Sequence, residues 1–180
     1  MSKKNSQSDT PVALPSADLG NGMATPPPEV ADLLRKVDEF LKEGDPGKAL
    51  DAIAKAKSTA ASSWITNARG VCQLRLGNAK VALEVFRGLV LATGGILLRG
   101  DVPVVFKTNY AVALLLSGNM SGCQGILAEV RNEGHPAVQR LNDAIQHWAS
   151  RLTFWQRINW YLGGQPDNPV DLSFLPGDLE

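Results

Sequence analysis

The chain has 180 residues, 44% of them hydrophobic and 20% charged, and its 18 basic residues balance 18 acidic ones. This length suits one domain with short terminal extensions. The neutral balance leaves no general basic excess for nucleic acid, and the composition excludes collagen, a disulfide framework and a coiled coil. No stretch matches a signal peptide or approaches the about 20 apolar residues of a spanning helix. We therefore expect a cytoplasmic protein that has no membrane span and binds no nucleic acid.

The chain divides into three parts by composition. Residues 1–27 are rich in Ser, Pro, Asp and Asn and offer too little apolar surface to offset the entropy of ordering, so we predict a disordered leader. Residues 28–163 have helical periodicity and form the predicted domain. Residues 164–180 form a tail that mixes acidic and apolar residues.

The first predicted helix begins at Pro28 and ends at Gly44. Its apolar residues recur with the spacing of one helix face, at Val30, Leu33, Leu34, Val37, Phe40 and Leu41. Gly44 suits the position after a helix, and Asp45-Pro46 suits the cap and first residue of the next one, which we extend to about Lys57.

The same pattern continues along the chain. Predicted helices run from Ser62 or Ser63 to Leu76, on to about Ala92, from Pro103 to Gly118, and on to Asn132, and a single long helix runs from Pro136 to Gly163. No segment alternates with the period of a strand, so the predicted fold class is all-α.

An internal repeat follows from the glycines between paired helices, Gly44, Gly77 and Gly118. At one fixed distance after each glycine stands a small residue, namely Ala49, Ala82 and Cys123. At a second fixed distance stands a large apolar residue, namely Ile53, Phe86 and Leu127. A small residue lets two helices approach closely and a bulky one fills the space beside it. The spacing from Gly77 to Gly118 is longer than the spacing from Gly44 to Gly77, and we place the additional residues at 93–102.

Residues 28–135 resemble the tetratricopeptide repeat (TPR) family. The best match is residues 67–86, with Gly70, Gly77, Ala82 and Phe86 at the family's small, glycine, alanine and aromatic positions. Gln73 departs from the family pattern. The resemblance implies a right-handed superhelical stack of about three helix–turn–helix units, closed by the long C-terminal helix as a cap.

The resemblance also implies a binding scaffold. The first helices of successive units would line a concave groove that takes a peptide or helix from a protein partner. Asn67 and Arg75 are the strongest candidates for ligand contacts, because they are polar on an otherwise apolar face. The full set of predicted groove residues is Leu34, Asp38, Trp64, Asn67, Val71, Arg75, Thr108, Val112 and Leu116.

One subset of the family binds acidic chaperone tails through a carboxylate clamp of Lys, Asn and Arg side chains. This chain has Leu34, Asp38, Ala68, Val105 and Asn109 at those places, and none matches. We therefore predict that the partner is not a chaperone tail bound by such a clamp.

The tail carries only acidic charges, whereas basic residues outnumber acidic ones in residues 64–163. Its apolar residues include Leu172 and Phe174. We consider self-docking of residues 166–180 onto the groove, where a partner would displace them. The alternative is a tail that packs loosely.

The aromatic residues near the C-terminal end indicate a second contact surface, with Trp155, Trp160 and Tyr161 as its candidates. They support an alternative function, that of a structural subunit in a constitutive homo- or hetero-oligomer. Packing of the terminal helix on the core is the simpler interpretation of most of this segment.

No catalytic motif is present, so we predict no enzyme, no catalytic residues, no cofactor and no metal site. His147 has only Asp143 one turn away, a spacing more typical of a surface pair than of a metal site. Cys72 and Cys123 are expected to be buried, reduced thiols.

Overall fold

The computed structural model describes residues 25–56, 62–95, 97–162, 164 and 170–180. The predicted leader before Thr25, the end of the second predicted helix at Lys57 and the first part of the tail lie outside these residues. The described part is all-helical, with α1 Pro28–Lys42, α2 Pro46–Lys55, α3 Ser63–Arg75, α4 Ala79–Val90, α5 Val104–Leu116, α6 Met120–Val130, α7 Pro136–Ser150 and α8 Phe154–Tyr161. A short 3-10 turn, Arg131–Glu133, follows α6.

The glycines that separate the paired helices end them as predicted. Gly44, Gly77 and Gly118 have φ of +78°, +77° and +84°, a region that side chains with a Cβ rarely adopt. The residue after each glycine donates its N–H five residues back, for example from Asp45 to the Phe40 carbonyl at 2.9 Å. This is the Schellman arrangement, which satisfies the last carbonyls of a helix.

Consecutive helices pack as three pairs, α1 on α2, α3 on α4 and α5 on α6, and each pair contacts the next. The odd-numbered helices also contact one another in order, from α1 to α7. Within the second pair, a Cβ added at Gly70 would lie 2.4 Å from the Phe86 ring, so the glycine is what admits the ring. A small residue on one helix of the pair therefore faces a large one on the other.

The predicted long C-terminal helix is wrong, because the chain breaks at residues 151–153 into α7 and α8. Thr153 caps α8: its hydroxyl accepts from the Gln156 N–H at 3.4 Å, and the Gln156 Oε1 accepts from the Thr153 N–H at 2.9 Å. This reciprocal capping box starts a new helix. Leu152 turns into the core at the break.

The additional residues between the second and third pairs form a loop that folds back on itself. The Ala92 N–H donates to the Leu97 carbonyl at 2.9 Å, and the Arg99 N–H donates to the Val90 carbonyl at 2.8 Å. The Arg99 side chain then pairs with Asp101 at 2.6 Å.

Both cysteines are fully buried in the core and are not joined in a disulfide. Burial raises the pKa of the Cys72 thiol to about 11 and that of Cys123 to about 12. Throughout the described ranges, the helices are too short or too polar to cross a bilayer.

Candidate functional site: the tail-facing surface of the odd-numbered helices

The last described segment, residues 170–180, lies across the odd-numbered helices, and we refer to it as the tail. We call the surface of α1, α3, α5 and α7 that the tail faces the groove. Along residues 170–176 the side chains alternate between packed and exposed positions, as in an extended chain. Val170, Leu172 and Phe174 pack against the hydrophobic core, and so does Leu179 near the end.

Asn109 of α5 binds both main-chain groups of one tail residue. Its Oδ1 accepts from the Asp178 N–H at 2.9 Å, and its Nδ2 donates to the Asp178 carbonyl at 2.7 Å. The Asn109 Nδ2 also donates to the Asn67 Oδ1 at 2.9 Å, which fixes the orientation of both amides. Both asparagines are 0–1% exposed.

Two side chains of α3 bind the neighbouring carbonyls. The Asn67 Nδ2 donates to the Asp178 and Leu179 carbonyls at 3.2 and 3.3 Å. Arg75 donates from Nε to the Pro176 carbonyl at 2.7 Å and from Nη2 to the Gly177 carbonyl at 3.0 Å. Four consecutive tail carbonyls, from residue 176 to 179, are therefore bound by three side chains of the groove.

Gly177 lies close against α3. Its φ of +85° lies in the left-handed region, and an added Cβ would stand 3.2 Å from Leu74 and Val71 side-chain carbons. Both the conformation and the lack of space favour glycine at this position.

Arg140 of α7 places a positive charge beside the Asp178 carboxylate of the tail. Its guanidinium forms an ion pair with the Asp178 carboxylate, and it lies 5.7 Å from the Phe174 ring centroid. Half of the arginine side chain is exposed, so this pair contributes more to orientation than to stability.

Burial lowers the pKa of Arg75, and the charge of Asp178 opposes this effect. The guanidinium donates to two neutral carbonyls. A partly buried arginine that donates to carbonyls holds a peptide chain in place, because its planar donors have a fixed geometry.

The tail does not fill the groove. One cavity of about 370 Å³ lies beside Leu34 and Asp38 and is also lined by residues 178–180. Another of about 380 Å³ lies on the opposite side, beside Trp64, Arg140 and Asp178. The predicted groove residues Leu34, Asp38 and Trp64 therefore line the space that flanks the tail.

The side chains of the predicted groove residues of α5, Thr108, Val112 and Leu116, form no hydrogen bond with the part of the tail that the structure describes. The Thr108 hydroxyl donates to the Val104 carbonyl of its own helix at 2.9 Å. Val112 is buried, and Leu116 lines a separate cavity together with Gly77. On α3, in contrast, Arg75 donates hydrogen bonds to the tail. Val71 lies beside Gly177, where an added Cβ would meet it.

The aromatic residues of α8 divide into two groups. Phe154 and Trp155 are 70% and 75% exposed and form an edge-to-face pair at 5.5 Å. Trp160 is half-buried and packs edge-on against Trp148 of α7 at 5.7 Å. The side chain of Tyr161 lies outside the described part of the structure.

Sequence reasoning missed Asn109 and Arg140 as groove residues. Asn109 interrupts the strongly apolar α5 with an amide. A buried amide in such a helix needs a partner, and this was the available signal. Arg140 lies on the helix that the sequence predicts as a cap, outside the predicted groove.

Over the ranges that the structure describes, no group of three or more His, Cys, Asp or Glu side chains is arranged to hold a metal ion. Comparison with known proteins found no matching family model, no significantly similar curated protein and no matching solved structure. The tail contacts are therefore the observations from which function is argued.

Proposed function

We propose that this protein is a non-enzymatic protein-interaction adaptor, built as a TPR-like right-handed stack of about three units, whose groove binds an extended segment of a partner. The observation that carries the proposal is the binding of four consecutive tail carbonyls by Asn67, Arg75 and Asn109. Side chains that bind a main chain can hold any segment of suitable shape, whether it belongs to this chain or to another.

The burial of the two asparagines supports a binding role. Buried amides that lose their hydrogen bonds cost about 1–3 kcal/mol each, so Asn67 and Asn109 favour a groove that is occupied. When the tail leaves, a partner segment that offers the same N–H and carbonyl groups restores these bonds. The flanking cavities leave room for side chains larger than those of the tail.

In this account the tail and the partner compete for one surface. A tethered tail acts at an effective concentration of about 1 mM, which weakens the binding of a competitor. Changes in the groove and changes in the tail should then affect partner binding in opposite directions.

The test is quantitative affinity capture from native lysate with three full-length variants beside the wild type. The first variant, Asn67→Ala, Arg75→Glu in a Gly177→Val background, removes the groove donors when no docked tail shares them. The second, Gly177→Val alone, releases the tail, and the third, Phe154→Ser, Trp155→Ser, changes the exposed aromatic pair. Circular dichroism establishes that each is folded. A groove partner is lost with the first variant, enriched several-fold with the second and unchanged with the third.

Partners that respond equally to the groove and tail variants contradict the proposal, because competition requires opposite signs. A partner lost only with the aromatic variant contradicts it too and moves the contact to α8.

The second candidate is a structural subunit, favoured by the exposed Phe154 and Trp155. Two adjacent exposed aromatic side chains are typical of protein contact sites. Light scattering at micromolar concentration tests this candidate: a stable oligomer that the Phe154→Ser, Trp155→Ser variant dissociates supports it, and a monomer in both proteins contradicts a homo-oligomer.

A further inference from the structure

The tail shows which chemical features the groove accepts. It has packed apolar residues at alternate positions, then Pro176, Gly177, an acidic residue and Leu179. Residues 174 and 176–179 contact named groove side chains, so the tail indicates the features of a ligand.

We propose that the partner segment is an extended acidic peptide of this pattern, with alternating apolar residues followed by proline, glycine, an acidic residue and an apolar residue. This inference rests on the proposed function and specifies its ligand. The tail then acts as a tethered competitor that has the same chemical pattern as the partner segment.

The glycine requirement follows from α3. At Gly177 the main chain has a φ of +85° and passes so close that an added Cβ would meet Val71 and Leu74 at 3.2 Å. A partner residue with a side chain at this position has to adopt a strained conformation and push the Val71 and Leu74 side chains back by a few tenths of an ångström.

The acidic requirement follows from α7. Arg140 pairs with the Asp178 carboxylate, and the same guanidinium lies near the Phe174 ring. The main chain of Asp178 is held independently by Asn109, so the carboxylate is fixed in its direction towards Arg140. A basic residue here places two positive charges side by side.

The exposed tail residues carry no such requirement. Asp171, Ser173 and Leu175 are exposed. Asp171 therefore provides a control with the same charge as Asp178 in the same segment.

The test uses full-length Gly177→Val protein as the host and fluorescent peptides of residues 168–180 as probes, with binding measured by fluorescence anisotropy. Hydrogen exchange first establishes that the host's own tail is released. The wild-type peptide should bind this host at least about tenfold more tightly than it binds wild-type protein, whose tethered tail competes.

Four altered peptides define the pattern. Gly177→Ala should bind roughly tenfold more weakly, from the cost of the left-handed conformation alone. Asp178→Lys should bind at least about fivefold more weakly and recover on a host that also carries Arg140→Glu. Asp171→Lys should stay within about twofold, because an exposed charge contributes little, and a scrambled peptide should not bind.

Three different results overturn the inference. If the altered peptides bind as tightly as the wild-type peptide, the pattern is wrong while binding in the groove, and so the proposed function, survives. If the host's own tail stays docked despite Gly177→Val, the glycine requirement is wrong. If the tail is released and no peptide binds, both the inference and the proposed function fall.

Discussion

The Asn109 side chain of α5 binds both main-chain groups of Asp178, accepting its N–H at 2.9 Å and donating to its carbonyl at 2.7 Å. The two residues are 69 positions apart in sequence. A primary amide pairs with a peptide group in this way because each offers one donor beside one acceptor. The pair joins the tail to the centre of the helical domain.

Asn109→Ala should release the tail and lower the free energy of unfolding by about 1–3 kcal/mol, because the Asn67 Oδ1 loses its donor as well. Hydrogen exchange should show the Asp178 amide protected in the wild type and exchanging freely in the variant. Asn132→Ala, at an exposed asparagine of the 3-10 turn, is the control and should change neither quantity.

Because Asn109 is buried, its replacement also disturbs the helices. Asp178→Pro removes the N–H donor from the tail side, together with the carboxylate that pairs with Arg140, and leaves the sequences of α3 and α5 unaltered. If the nuclear Overhauser contacts between the Gly177 Hα protons and the Val71 methyl groups persist in Asp178→Pro, the contribution of this hydrogen bond is refuted.

Gly70→Ala should destabilise the second helix pair by about 1–3 kcal/mol, because the new methyl group overlaps the Phe86 ring. Urea unfolding measures the effect. Phe86→Leu in the same protein should restore part of the loss, which makes the two changes non-additive.

Gly88 on the partner helix α4 provides the matched control. A Cβ there meets nothing within 4 Å, so Gly88→Ala should be neutral or stabilise by up to about 1 kcal/mol through helix propensity. Equal destabilisation by the two glycine variants would contradict a specific overlap with Phe86.

Thr153→Ala should weaken α8 by about 0.5–2 kcal/mol, since it removes one half of the capping box. Hydrogen exchange of the α8 amides should rise while the amides of α3 and α5 stay protected. Thr153→Ser keeps the hydroxyl and should behave like the wild type. Unchanged exchange in Thr153→Ala would mean that the cap does not define the start of α8.

Cys72 and Cys123 should be almost inert to thiol reagents in the native protein. With a pKa of about 11, at most about 0.1% of the Cys72 thiol is ionised at pH 8. Both should label at once in denaturant, and rapid labelling without denaturant would contradict their burial.

The same shifts give a pH dependence of stability. The folded protein keeps thiol protons that the unfolded chain loses above the ordinary pKa of 9.0. The thiol contribution to the free energy of unfolding is therefore fully present below pH 9 and is lost as the pH rises towards the folded values. Replacing both cysteines by alanine should remove this loss, as urea titrations at pH 8 and pH 10 would measure.

Local chemistry predicted most of the fold. Gly44, Gly77 and Gly118 mark helix ends because only a residue without a Cβ adopts their conformation easily. The break before α8 was also encoded, in the Thr-x-x-Gln pattern at Thr153 and Gln156, but the continuous apolar stripe favoured one long helix.

The groove was only partly predictable. Asn67 and Arg75 stood out as polar residues on an apolar face, and both contact the tail. Asn109 did not, because α5 is buried on every side and its periodicity defines no face. Arg140 acts on a segment 38 positions away, and no local pattern encodes that distance.

The central claim is that the tail occupies the groove, and an NMR measurement tests it most directly. In full-length protein with labelled methyl groups, the account predicts nuclear Overhauser contacts between the Gly177 Hα protons and the Val71 methyl groups. These contacts should disappear in Asp178→Pro. Tail resonances at random-coil positions, with no contact to Val71 in the wild type, would contradict the account.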